Sequence, residues 1–515
     1  MGAGSRSRVA QACLAARKTR KRISEAMMTS ILSAADVEVL SDAVCEVLSE
    51  QGFYCENRAI LQAYEAAGAE VDHEAQVAKF PVQVMQDFAE SLRNEDKDGW
   101  QDWLRGEDRE LQYSGFHPYT VDPAFKAPKL PYMFHNLSTY YYDDAAGERR
   151  LGNREDFITL IKLGDTLHPE QGMGHALNLV ADTATAVEPL EAALVLLEYS
   201  HNPRGVYVMD VRQIPYLEEI EALFGIDDPQ WHWMANICPT SPLKLDRSAA
   251  ERYVHMLETG VYPAKLAAMP VSGVNMPITT GGTLVIIAAE FMALWFAARA
   301  LQPRKIPLTG MPILGTMDLS NGNVSFTAFD AATRRLSICD FVRQWTGVQL
   351  APGPGEWTPT KEPSMYCSLE KAYFAMIAAA FTGHHPEIGV GHIDSGLTIS
   401  PVQLLLDLEF TQGLRFLEKP AIRREDLGLD SIFDVGFGYN DNYLMTDNTI
   451  EHMRAATWMP QNFIRDGWSP EADAAARAKA AVKVADLISE YRKPEGREDQ
   501  LEAARSVVER AKGEL

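Results

Sequence analysis

Paired cysteines are missing from this chain. The six it has (Cys13, Cys45, Cys55, Cys238, Cys339 and Cys367) are scattered through 515 residues with no Cys-x-x-Cys spacing. That excludes a zinc knuckle built on neighbouring thiols and argues against a disulfide framework; they read as reduced thiols of a cytoplasmic protein. Positive charge is also short: 48 Lys and Arg stand against 71 Asp and Glu, a net charge of −23. A nucleic-acid partner needs a clustered basic face, so that function class falls away. Long uncharged apolar runs are absent too. The most membrane-like stretch, Leu284 to Leu301, carries Glu290 in its middle and Arg299 near its end. A charge at bilayer depth is expensive, so the stretch reads as a buried core helix rather than a membrane span. The N-terminus is polar and basic without the apolar core of a secretory signal, and Arg6 stands where a myristoylation pattern needs Ser or Thr.

Signature motifs are equally scarce. There is no GxSxG, P-loop, HExxH or zinc spacing, and no GxGxxG follows a first strand. No metal site is expected from these residues.

What is present is a beat. Strand-like runs occur at 175–180, 205–209, 231–237, 265–271, 305–311, 347–350 and 387–393. Amphipathic or apolar helical runs lie between them, at 190–199, 216–224, 249–258, 284–301, 333–345 and 369–381. Single strands alternating with helices predict right-handed parallel β/α units. With one more strand, from 140–143 or 432–437, the pattern predicts an α/β fold of the (β/α)8 TIM-barrel type. An open doubly wound sheet is the alternative. The expected organisation is a basic arm (1–30), a helical and aromatic-rich lead-in packed on the barrel (31–150), the barrel itself (151–469), and a helical tail (470–515). The tail is Ala-, Glu- and Lys-rich and is expected to pack on the barrel or on a second copy of the chain, as in a homo-oligomer.

The chain is organised around 385–404. A short buried strand ends in His392 and Asp394, and Ser400, Pro401 and Gln403 supply an N-cap, a first helical proline and a capping-box partner. Other polar groups follow predicted strands: Asp182, Asp210, Asn236, Ser272 with Asn275, Asp318, and Glu356 with Trp357. Each alone is an ordinary helix cap or loop hydrogen bond; convergence at one barrel mouth is what would make a site. The Pro- and Gly-rich loop 351–363, holding Glu356, Trp357 and Lys361, is read as a substrate lid.

Four patches, in order, resemble the trimethylamine methyltransferase (MttB-type) superfamily, from about Ser33 to about Trp468. They are Tyr141 to Arg150 with Glu155-Asp156, and Met269 to Thr279 before a Gly-Gly-Thr-Leu helix start and Glu290. Next come Asp394-Ser395-Gly396 with Ser400, Gln403, Asp407 and Glu409, and then Asn442 to Thr449 with Trp458. The resemblance implies a (β/α)8 barrel that demethylates methylamines or quaternary amines. Trimethylamine enzymes of that family carry pyrrolysine near the sixth strand, and this chain reads Leu350-Ala351-Pro352 there. It resembles the non-pyrrolysine members, which include glycine betaine methyltransferases. After that strand many members show D-S-K-x-x-D-x-Q-A-x-x-E; here Lys361 and Glu370 match, while Pro359, Ser364, Tyr366 and Cys367 depart.

The implied reaction moves a methyl group from a quaternary amine, glycine betaine or a related betaine, to cob(I)alamin on a separate corrinoid protein. No cofactor would be tightly bound. Aromatic faces hold such a cation best, and Trp231, Trp233, Trp357 and Tyr366 are the candidates, with Asn236 and Glu370 beside them. Lys361 or His392 would receive a substrate carboxylate, and Glu356 or Asp394 would balance the ammonium. The assigned catalytic set is His392, Asp394 and Glu356. The alternative function is a catalytically silent barrel that binds a small ligand or partner protein.

Overall fold

A computed structural model describes residues 30–97, 100, 137–170, 172–228, 231–234, 237–260, 264–302, 306–353, 355, 357–382, 388, 391–414, 422–438, 442–463 and 469–515. The basic arm, the aromatic stretch 101–136, and the candidates Asn236 and Glu356 lie outside these residues, as does the Trp233 side chain.

The fold is mixed α/β and helix-rich, with several small sheets, none of which closes into a ring among the described residues. Its centre is the helix Thr280–Leu301, capped by Thr279, whose hydroxyl accepts from the Gly282 N–H. By length and composition this helix could cross a bilayer, yet it lies mostly buried within the protein. Two phenols pin it: Tyr64 donates to the Ala293 carbonyl (2.9 Å) and Tyr253 to the Leu294 carbonyl (2.7 Å). Glu290 is fully buried and accepts from the Leu243 N–H (2.9 Å) and the Ser241 hydroxyl (3.0 Å). Burial pushes its carboxyl up to about 7.

Helices expected from periodicity are found, each a few residues longer: Glu188–Tyr199, Ile214–Phe224, Arg247–Thr259, Phe329–Thr346 and Met365–Thr382. The extra residues are terminal turns, which apolar spacing does not mark. The tail forms two helices, Ala472–Glu490 and Glu498–Glu514, packed on the rest of the chain through Ala480, Val484, Val507 and Val508.

Strands are shorter than expected. Val206–Val208 pairs in parallel with His232–Met234, and Ala264–Ala268 with Leu308–Pro312. A parallel bridge joins Ile237 to Leu266, and another joins Ser138 to Leu177. The runs 175–180 and 347–350 form no strand beyond the bridge at Leu177, although the Ala351 N–H donates to the Gly310 carbonyl (2.9 Å). Of the two candidates for a further strand, Tyr140–Asp143 is one, parallel to Thr398–Ile399; residues 432–435 are helical instead, within Leu429–Val435.

Candidate functional site

The stretch after His392 differs from the expected strand that runs straight into a helix. His392–Ile393 turns back on itself and pairs antiparallel with Thr398–Ile399, and only then does the helix Pro401–Leu414 begin. Ser400 caps that helix as expected, accepting from the Gln403 N–H at 3.0 Å. The Gln403 side chain does not complete a capping box. Its amide bonds to the Ser364 N–H, the Ser368 hydroxyl and Asp407 instead.

The reversal is made by Asp394 and Ser395, two non-glycine residues with left-handed backbone (φ 53 and 57). Such conformations cost energy in L-residues and persist where the surroundings impose them. Here Asp394 is buried and paired with two cations, Arg149 and Lys361. Arg149 arrives on the hairpin Tyr140–Asp143/Glu148–Leu151, where it faces Tyr142 in the register and lies over the Tyr140 ring at 4.3 Å. Lys361 and Asp394, both read as substrate contacts in the sequence, therefore already contact one another.

Beneath this lies a polar core. Lys371 and Asp407 form an ion pair at 2.6 Å with both side chains wholly buried. Asp407 also accepts from the Gly391 N–H (2.9 Å), the Ser368 hydroxyl (2.7 Å) and the Gln403 amide (2.7 Å). Four donors satisfy the carboxylate, which a buried charge requires. His392 is fully buried beside Cys367, whose thiol burial pushes up to about 12. Glu370 is bonded to the hydroxyls of Thr358 and Thr327, and its charge raises the pKa of the exposed Tyr366 phenol.

Trp357 is buried, in a cluster with Met311, Ile313 and Phe326. The Arg335 guanidinium sits 5.8 Å from its ring, and no described residue accepts from its indole N–H. Thr358 next to it is completely buried, so this part of the loop 351–363 is packed into the protein, not laid over it as a lid. Trp231 lies elsewhere: its ring belongs to the main hydrophobic core and its N–H donates to the Pro203 carbonyl at 3.3 Å. Of the sequence candidates the structure brings together Asp394 with Lys361, Glu370 with Tyr366, and, through adjoining main chain, Trp357 with Asp394. It does not bring Trp231 to them.

Sequence reasoning missed the roles of Arg149 and Lys371. Arg149 was visible only as part of a motif, since a hairpin partner 245 residues from Asp394 leaves no local signal. Lys371 gave a faint one, a lone cation inside an apolar helical run. Among the described residues no three His, Cys, Asp or Glu side chains gather as a metal site.

A mixed α/β fold with buried charged and polar groups gathered around one strand reversal fits an α/β enzyme. The chain belongs to the trimethylamine methyltransferase (MTTB) family, whose profile matches residues 2–515. It is similar to the trimethylamine methyltransferase MttB of Desulfitobacterium hafniense, 23% identical over 502 residues that cover 93% of each chain. It also matches the trimethylamine methyltransferase MttB of Methanosarcina thermophila, 24% identical over 282 residues (54% of this chain, 57% of the relative). The L-carnitine:corrinoid methyltransferase of Eubacterium limosum is 24% identical over 301 residues, 55% of this chain and 54% of the relative. The protein is a methyltransferase.

Proposed function

We propose that the chain transfers a methyl group from a quaternary amine of the betaine class, glycine betaine or a near relative, to cob(I)alamin presented by a separate corrinoid protein in the cytoplasm. The observation that carries this reading is the family match along residues 2–515, which reaches every segment discussed above. A relative that acts on L-carnitine, itself a quaternary amine bearing a carboxylate, supports the substrate class.

In the proposed architecture the parallel pairs and bridges are arcs of one (β/α)8 barrel with Tyr140–Asp143 as a wall strand. The lead-in, barrel and tail are proposed to divide near residues 150 and 470.

The chemistry asks little of acid–base groups. A quaternary nitrogen needs no protonation to leave: the N–CH3 bond breaks, its electron pair stays on nitrogen as a neutral amine, and the methyl passes to the cobalt. The protein's share is to bind, orient and exclude water. Trp357 offers an aromatic face for the cation, with Tyr366 nearer the surface. Asp394, neutralised by Arg149 and Lys361, is proposed to fix the mouth's backbone, with His392 buried behind it.

The test is a donor screen with purified protein and reduced cobalamin, following the loss of cob(I)alamin absorbance. Glycine betaine, L-carnitine or a related betaine should consume it. A screen in which no quaternary amine does so overturns the reading in favour of a silent binding protein.

A further inference from the structure

The parallel pair Ala264–Ala268/Leu308–Pro312 has two chemically different faces. Leu266 and Ala268 belong to the main hydrophobic core, as does Leu308, and a side chain at Gly310 would strike Phe291 of the central helix. That face is the helix side. Alternation places Lys265 and Ala267, with their register partners Thr309 and Met311, on the opposite face. Met311 packs against Trp357 there, so the indole and Lys265 share a face. Met311 stands two residues beyond the Thr309 level, which sets the indole about 7 Å nearer the strands' C-terminal ends than Lys265.

Lys265 is only partly accessible, and no described side chain pairs with its ammonium. Burial alone lowers its pKa, to about 8, with no neighbouring charge contributing. On the same face the buried Trp357 indole N–H has no acceptor among the described residues. An ammonium with no counter-charge among the described residues, on a face it shares with an indole, calls for an anionic oxygen at the lysine.

We propose that Lys265 anchors the carboxylate of the substrate, with the trimethylammonium head held nearer the strand ends at Trp357. This deepens the reading above and rests on it. The consequence is a choice of substrate class. A zwitterion satisfies the lysine and keeps its own cation away from it. A cation without a carboxylate, such as choline or trimethylamine in its protonated form, faces an unscreened like charge in a low-dielectric site. Orientation follows as well, because the carboxylate goes deep and the methyl groups face the end where a cobalt can approach.

Calorimetry on the full chain tests the anchor with glycine betaine, its methyl ester, and choline. Wild type binds glycine betaine and binds the two carboxylate-free cations roughly 10- to 100-fold more weakly, the range of one charged hydrogen bond. Lys265→Met loses that preference, and Lys265→Arg keeps part of it. Equal wild-type affinity for acid and ester overturns the proposal with no variant needed, as does an unchanged preference in folded Lys265→Met. Failure of the anchor and failure of the methyltransferase reading separate cleanly. Choline methylating cob(I)alamin as fast as glycine betaine removes the anchor and leaves the reading. Lys265-dependent binding of glycine betaine without any methyl transfer does the reverse.

Discussion

Asp394 and Thr360 are joined main chain to main chain, the Asp394 N–H donating to the Thr360 carbonyl over 2.7 Å, and Ser395 repeats the bond to Thr358 at 2.7 Å. The strand reversal and the loop carrying Trp357 and Lys361 are thereby one mechanical unit. Two residues in left-handed backbone are held by these bonds and by the ion pairs of Asp394.

The strain in that unit is measurable. Ser395→Gly removes the penalty of a left-handed L-residue, although glycine also loosens the unfolded chain. The expected net is a gain of roughly 0.5–1 kcal/mol in urea unfolding. A loss of 1 kcal/mol or more would show that the Ser395 side chain, not the backbone, matters.

The two cations on Asp394 should behave non-additively. Arg149 and Lys361 are substantially exposed while Asp394 is buried. Arg149→Met or Lys361→Met alone leaves one partner and is expected to cost about 1 kcal/mol or less. The double variant strands a buried carboxylate and should cost about 3 kcal/mol or more. Simple additivity in a thermal-melt cycle would contradict this.

Lys371→Met leaves the wholly buried Asp407 without its counter-charge, and about 3–5 kcal/mol of stability should go with it. Lys371→Met with Asp407→Leu is expected to recover much of that loss, because no charge remains buried. Denaturant midpoints decide the matter, and a single variant as stable as wild type would refute it.

Glu290 supplies a pH dependence. Its folded pKa is raised from 4.5 to about 7 by burial, so the folded state keeps a proton that the unfolded state releases. Stability from this group therefore falls as pH rises from about 4.5 to about 7 and is level above that, by on the order of 3 kcal/mol in all. Glu290→Gln keeps an acceptor for Leu243 and Ser241 and should flatten that fall. Melting curves of both proteins between pH 5 and 8 check it; parallel curves would count against a raised pKa.

Helices were legible because each presents many residues of one repeated spacing, and some add a cap, as Ser400 does. Strands were less so. Elements of two to five residues carry little periodicity, and the return strand Thr398–Ile399 was hidden by the stronger cap signal just after it. In the site, residue type was a poor guide to place. Trp231 and Trp357 look alike in sequence, yet one fills the core and the other meets Met311. Lys265 looked like the polar start of an apolar strand, since only the register with Thr309 and the crowding at Gly310 reveal its face.

The most direct measurement follows the methyl group itself. Glycine betaine carrying three deuterated N-methyl groups is incubated with the purified chain and reduced cobalamin, and both products are read by mass spectrometry. The account predicts one CD3 group on cobalt and a dimethylglycine that has lost one, in equal amounts. Betaine recovered with all three labels, beside unmethylated cobalamin, would contradict it.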